Sequence, residues 1–206
     1  MIDFLKDRIL LFVTVIAGDW VSLSALIKAD EIRHDAITIA IVVSLLPSLV
    51  ISLLVEFFFQ QRVTKRKLVV STAVVGFLFW IGFIFFYARF SSINNEYGKV
   101  SYPVEVAGMH SRDSVIVGGC NYTIEAQAEV DNYAAKKRTL TESALFEDFN
   151  YDIAQIWTEK ERDCARSKIL NSFAVMLAFL IAGITLTAEA IIALKKEREK
   201  KEKKSG

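Results

Sequence analysis

Residues 37–59 read ITIAIVVSLLPSLVISLLVEFFF, an apolar run of 23 residues in which Ser44, Ser48, Ser52 and Glu56 recur at every fourth position. At 1.5 Å per residue a helix of this length spans about 34 Å, enough to cross a bilayer core of about 30 Å. On that helix the three serines and the glutamate share one slowly drifting face, and Leu, Ile, Val and Phe occupy the other sides. Pro47 lies near the middle. It removes one backbone hydrogen bond and crowds the carbonyl four residues earlier, so the sequence predicts a kink at mid-span.

The rest of the chain follows the same rule. Of its 206 residues 53% are hydrophobic, 15 are Phe and only 2 are Pro, with a mean hydropathy of +0.35. All but a few of the charged residues lie outside the long apolar runs, which excludes an ordinary soluble domain. Further spans are expected at 9–27, 68–90 and 169–194. The first is read as a retained helix rather than a cleaved signal peptide, because it is longer than a usual signal core. Its Thr14, Gly18 and Ser22 form a row of small residues that would let another helix approach closely. No internal repeat and no phosphate-binding glycine loop is present.

Basic residues set the expected orientation. The loop after the second span carries Arg62, Lys65, Arg66 and Lys67 with no acid, and the tail after the fourth carries seven bases, among them Lys195, Lys196 and Arg198. Bases near span ends favour the cytoplasmic side. Both termini are then cytoplasmic, in agreement with Lys6 and Arg8, and residues 91–168 face outward. That region holds 13 acids against 9 bases.

The expected fold class is a mainly α membrane protein, with four transmembrane helices and a small α+β extracytoplasmic domain inserted between the third and fourth. Within the insert, residues 100–107 and 114–128 contain alternating or β-branched patches separated by His110, Ser111, Arg112 and Asp113, which predicts a strand pair joined by a turn. Thr139 and Glu142 have capping-box spacing. Leu145, Phe149, Ile153, Ile156 and Trp157 recur on one helical face, so a helix from about residue 142 is expected to run on into the fourth span. Cys120 and Cys164, the only cysteines, both lie in this region. They are candidates for a disulfide, with two reduced buried thiols as the alternative. A glycosylation sequon at Asn121-Tyr122-Thr123 matters only in a eukaryotic secretory route.

No catalytic constellation stands out, and no cofactor is implied. His34 and His110 lack metal-ligand spacing and read as solvated loop residues. Ionisable groups inside spans carry more information, since they are costly in lipid and face protein, water or a pathway. Asp19 lies in the first span, Glu56 in the second and Glu189 in the fourth, where Asn171, Ala174, Ala178, Ala182, Thr185 and Glu189 share one helical face. Two readings compete: close helix packing with hydrogen-bonded acids, or the lining of an ion path through a homo-oligomer. The basic tail suits either anionic lipid or a grip for a cytosolic partner, and nucleic acid is not an expected ligand.

Four spans, a basic inner loop and one large outer loop give a tetraspanin-like outline, but the Cys-Cys-Gly motif of that family is absent. In size and layout, with spans 9–27, 37–59, 68–90 and 169–194 and the outer insert, the chain resembles the KwaA family, the membrane subunits of the Kiwa anti-phage defence system. The resemblance implies a bacterial four-span inner-membrane protein that works with a cytosolic effector. A non-enzymatic oligomeric sensor or scaffold is therefore the leading functional expectation. An ion channel and an immunity protein against a membrane-active toxin are the alternatives.

Overall fold

A computed structural model describes residues 26–27, 29, 32–60, 65–100, 105–106, 109–110, 115–136, 139–150 and 152–205. In chain order the elements are α1 (Arg33–Gln60), α2 (Lys65–Tyr97), β1 (Gly98–Val100), β2 (Glu105–Val106), β3 (Met109–His110), β4 (Val115–Val117), α3 (Ile124–Ala135), α4 (Glu142–Asp148), α5 (Ile153–Ile156) and α6 (Glu159–Ser205). The chain is mostly helical, and it divides into two compact units. Of the described residues, one unit comprises those within 37–90 and 172–205, and the other those within 26–36 and 91–171.

Among the described residues two helices are long and apolar enough to cross a membrane, over Val69–Tyr97 in α2 and Glu159–Lys195 in α6. The span read at 37–59 is helical throughout, and α1 continues through Pro47. The span read at 9–27, with Asp19, lies outside the described residues.

In the first unit α2 and α6 pack antiparallel through small residues. A Cβ built on Gly76 would lie 3.2 Å from Leu186 Cβ, and one on Gly82 would overlap the Phe179 ring. The absence of a side chain at these positions is what lets the helices approach. Further along the seam the Phe86 and Phe179 rings stand 4.6 Å apart and the Phe90 and Phe173 rings 5.5 Å apart. Trp80 Nε1 donates to Thr187 Oγ1 at 3.2 Å, and that hydroxyl donates to the Gly183 carbonyl at 2.8 Å. The indole N–H, costly to leave unpaired in an apolar setting, is thereby satisfied.

The other side of α2 is bare. Val70, Val74, Leu78 and Ile81 are more than half or about half exposed, and Phe77, Ile84 and Phe85 reach 65%, 66% and 64%. A contiguous face of large apolar side chains on this scale is foreign to a water-soluble surface and suits contact with lipid. α6 is much the more enclosed of the two helices.

The second unit is a small α+β assembly. β1 and β4 pair antiparallel with Lys99 opposite Ile116, and β2 and β3 pair with Glu105 opposite His110. The strand pair expected from sequence is therefore two short ladders, and His110 sits in a strand instead of the turn. The second strand patch also ends sooner than 114–128: residues from Ile124 onward are helical. Thr123 starts that helix by accepting from Ala126 N at 3.2 Å, which satisfies one of the free N–H groups of the first turn.

The helix expected to run unbroken from residue 142 is instead three helices. Thr141, not Thr139, caps α4, accepting from Ala144 N at 3.3 Å. After Phe149 the chain turns at Asn150, whose φ of 47° is the left-handed conformation that ends helices and that Asn tolerates better than most residues. Asp152 then caps α5 through Ala154 N at 3.1 Å, and Thr158 caps α6 through Glu161 N at 3.3 Å. The apolar positions named from periodicity still converge. Leu145, Phe146, Ile156 and Trp157 form the buried core with Ala126, and Phe149 and Ile153 pack at its margin. Trp157 is central, stacked on Tyr122 at 5.8 Å and edge-on to Phe146 at 5.6 Å.

Candidate functional site

The best-defined site is the joint where β4 and the loop after it meet the first turns of α6, all within the second unit. Cys120 and Cys164 are joined by a disulfide with Cα atoms 6.0 Å apart, inside the range such bridges occupy. The bridge closes a chain segment of 44 residues. Backbone bonds reinforce it: Cys120 N donates to Glu161 O at 3.0 Å, Gly118 N to Tyr97 O at 2.8 Å and Thr123 N to Ile156 O at 2.9 Å. Arg162 Nε donates to Val117 O at 3.2 Å, Asn121 Nδ2 to Glu161 Oε2 at 2.9 Å, and Thr123 Oγ1 to Gln155 O.

Gly119 makes this closure possible. A Cβ there would lie 2.6 Å from Trp157 Cγ and 2.9 Å from its Cβ, so any side chain would have to displace the core tryptophan. The glycine pair directly precedes Cys120 in the sequence, whereas its partner, the indole of Trp157, comes from 38 residues further on.

A second tie lies close to the first. Lys168 Nζ donates to Tyr97 OH at 2.8 Å and stands 5.0 Å from the Tyr97 ring centroid, a hydrogen bond combined with a cation–π contact. Tyr97 is buried, so the end of α2 is held against α6 inside this unit. Asn94, 3% exposed, donates from Nδ2 to the Leu26 carbonyl at 3.0 Å and ties the segment before α1 to α2. Sequence reading found none of these three. Asn94, Tyr97 and Lys168 all fall within the 91–168 region assigned from sequence to the extracytoplasmic domain, with no role of their own.

The polar positions inside spans are resolved in part. Ala182, Thr185 and Glu189 are all buried, on the face of α6 turned into the protein. Asn171 belongs to the other unit, is exposed, and donates from Nδ2 to Ser167 Oγ at 3.3 Å. The predicted stripe is thus enclosed at its C-terminal part and open at Asn171. Ser44, Ser48, Ser52 and Glu56 ride on the helical backbone of α1, and their side chains lie outside the described parts. Arg62 lies outside the described residues. Lys65, Arg66 and Lys67 open α2, Lys195 is exposed on α6, and Lys196 and Arg198 continue the same helix.

One further cluster of ligating atoms is present among the described residues: a carboxylate oxygen of Glu161 and the Sγ atoms of Cys120 and Cys164 all lie within 4.8 Å of one another. Comparison with family models, with characterised proteins and with solved structures finds no match to this chain.

Proposed function

We propose that this protein is a non-enzymatic inner-membrane sensor or scaffold subunit, with its disulfide-bonded unit outside the cytoplasm and its basic tail inside, where it holds a cytosolic partner. The observation that carries this reading is the course of α6. One helix of 47 residues, about 70 Å long, includes the disulfide cysteine, the apolar segment and the basic tail. Such a helix is more than twice the thickness of a bilayer core. The disulfide cysteine Cys164 and the tail thus belong to one helix without an intervening loop.

Chemistry at the two ends supports the assignment of sides. Cytosolic thiols are kept reduced, so a disulfide between the only two cysteines suits an oxidising compartment. The seven bases after the apolar segment suit the cytoplasmic face. The bacterial defence setting rests on the resemblance in size and expected layout to Kiwa membrane subunits read from the sequence; in it the partner would be a cytosolic effector and the signal a perturbation of the envelope.

Site-specific photo-crosslinking from position 195 or 198 in cells tests the reading. A cytosolic protein is expected to be captured by the intact chain. Capture is expected to fall at least tenfold when Lys195, Lys196 and Arg198 are neutralised together with Arg62, Lys65, Arg66 and Lys67. Unchanged capture by the neutralised chain refutes the partner role. Reporter fusions that place residue 206 outside the cytoplasm refute the topology.

A pore is the second reading, and the buried Thr185 and Glu189 favour it. Under this reading they would line a path within one protomer, since they face inward and not toward a neighbouring copy. Planar bilayers containing purified protein would then pass current with a cation preference reduced by Glu189→Gln. Electrically silent bilayers dismiss it.

A further inference from the structure

The joint holds three metal-ligating groups in a geometry that a disulfide does not exhaust. We infer that, once reduced, Cys120, Cys164 and Glu161 form a binding site for one soft divalent cation of the zinc type, so that the same joint has two alternative staples.

The argument begins with placement. Glu161 and Cys164 are three residues apart on α6 and therefore project from the same face one turn apart. Cys120 comes from the facing loop, held there by its own N–H on the Glu161 carbonyl at 3.0 Å. The three donor atoms already lie within 4.8 Å of one another. In a tetrahedral zinc site with Zn–S of about 2.3 Å and Zn–O of about 2.0–2.2 Å, two thiolates stand about 3.8 Å apart. The present Cα separation of 6.0 Å leaves that spacing within reach of side-chain rotation alone.

The carboxylate is also oriented. Asn121 Nδ2 donates to Glu161 Oε2 at 2.9 Å, which engages one carboxylate oxygen and leaves the second for a cation. Hydrogen bonds of this kind from outside the ligand set aim ligands in metal sites. Two thiolates and one carboxylate select a zinc-type ion over magnesium or calcium, and the fourth position falls to water.

The redox step balances simply. A dithiol reductant gives two electrons and two protons to the Cys120–Cys164 bond and itself closes to a disulfide. The two protein thiols then release two protons as their sulfurs bind the cation. The inference concerns a joint internal to one unit, and its test in micelles does not depend on the membrane topology proposed above.

The test uses the full chain in detergent micelles, reduced with a dithiol that is then removed without air, and titrated with Cd²⁺ and Zn²⁺. The reduced protein is expected to take up one ion per chain, with thiolate-to-cadmium charge-transfer absorption in the ultraviolet, and the oxidised protein none. Cys120→Ser and Cys164→Ser are each expected to abolish the signal. Glu161→Gln is expected to weaken binding about tenfold or more. Its ability to re-form the disulfide on reoxidation shows that the joint itself is intact. Absence of saturable uptake by the reduced chain, an undiminished signal in either serine variant, or equal affinity in Glu161→Gln each overturns the inference.

Discussion

Replacing both Cys120 and Cys164 by serine releases a closed segment of 44 residues while leaving the other bonds of the joint in place. In the chain-entropy description, closing a segment of that length removes about 4 kcal/mol worth of freedom from the unfolded ensemble. Since 1.4 kcal/mol is a factor of ten, the opened form of the second unit should become roughly a thousandfold more populated. The remaining bonds, Gly118 N to Tyr97 O, Thr123 N to Ile156 O and Arg162 Nε to Val117 O, keep the folded joint in its present arrangement. The loss therefore arises in the unfolded state and not from a distorted native one. Limited proteolysis in micelles reads this directly, because cleavage follows the population of the opened form when reclosing is fast. Cleavage between residues 98 and 158 should accelerate by two to three orders of magnitude, while cleavage within 65–90 stays unchanged. Equal cleavage rates for the oxidised wild type and the double serine variant would refute the reasoning.

Other perturbations test other parts of the structure. Gly119→Ala sets a methyl group against the Trp157 indole and should destabilise the second unit by about 1–3 kcal/mol, read as a changed tryptophan emission and faster proteolysis. Ile81→Asp places a charge on the bare face of α2 and should oppose membrane insertion by about 3 kcal/mol, measured as the inserted fraction in a translation system with microsomes or inverted vesicles. An unaffected fraction would argue that this face is covered by protein. Trp80→Phe deletes the bond to Thr187 Oγ1 while that hydroxyl keeps its bond to the Gly183 carbonyl, so the lost bond should lower the stability of the helix pair in denaturant unfolding by only about 0.6 kcal/mol, typical of such bonds between membrane helices. Thr123→Val removes the cap of α3 and the bond to the Gln155 carbonyl, at a cost of about 1–2 kcal/mol to the second unit.

Apolar length alone marked the helices at 68–90 and 169–194, because burial in lipid depends on composition over about twenty residues and hardly on order. Their ends were less visible. α2 continues through Ser91, Ser92, Asn94 and Asn95 to Tyr97 because Asn94 finds the Leu26 carbonyl and Tyr97 finds Lys168, partners remote in sequence. The break near residue 150 was hidden for a related reason. Neither Gly nor Pro marks it; an asparagine in the left-handed conformation and an aspartate cap make it. Residues 124–128 were read as strand from the β-branched patch before them, and the capping role of Thr123 outweighed that signal. The cysteine pairing was legible because only two cysteines exist, whereas the carboxylate beside them depended on a helix beginning at Glu159.

The Tyr97–Lys168 tie has an architectural consequence. It brings the end of α2 next to Lys168 on α6, so the stretch of chain between Tyr97 and Lys168 leaves and returns at adjoining points. Such an excursion is an interchangeable cassette. A different folded cassette spliced at the same two points would replace the disulfide-bonded joint while leaving the α2 and α6 sequences of the first unit unchanged.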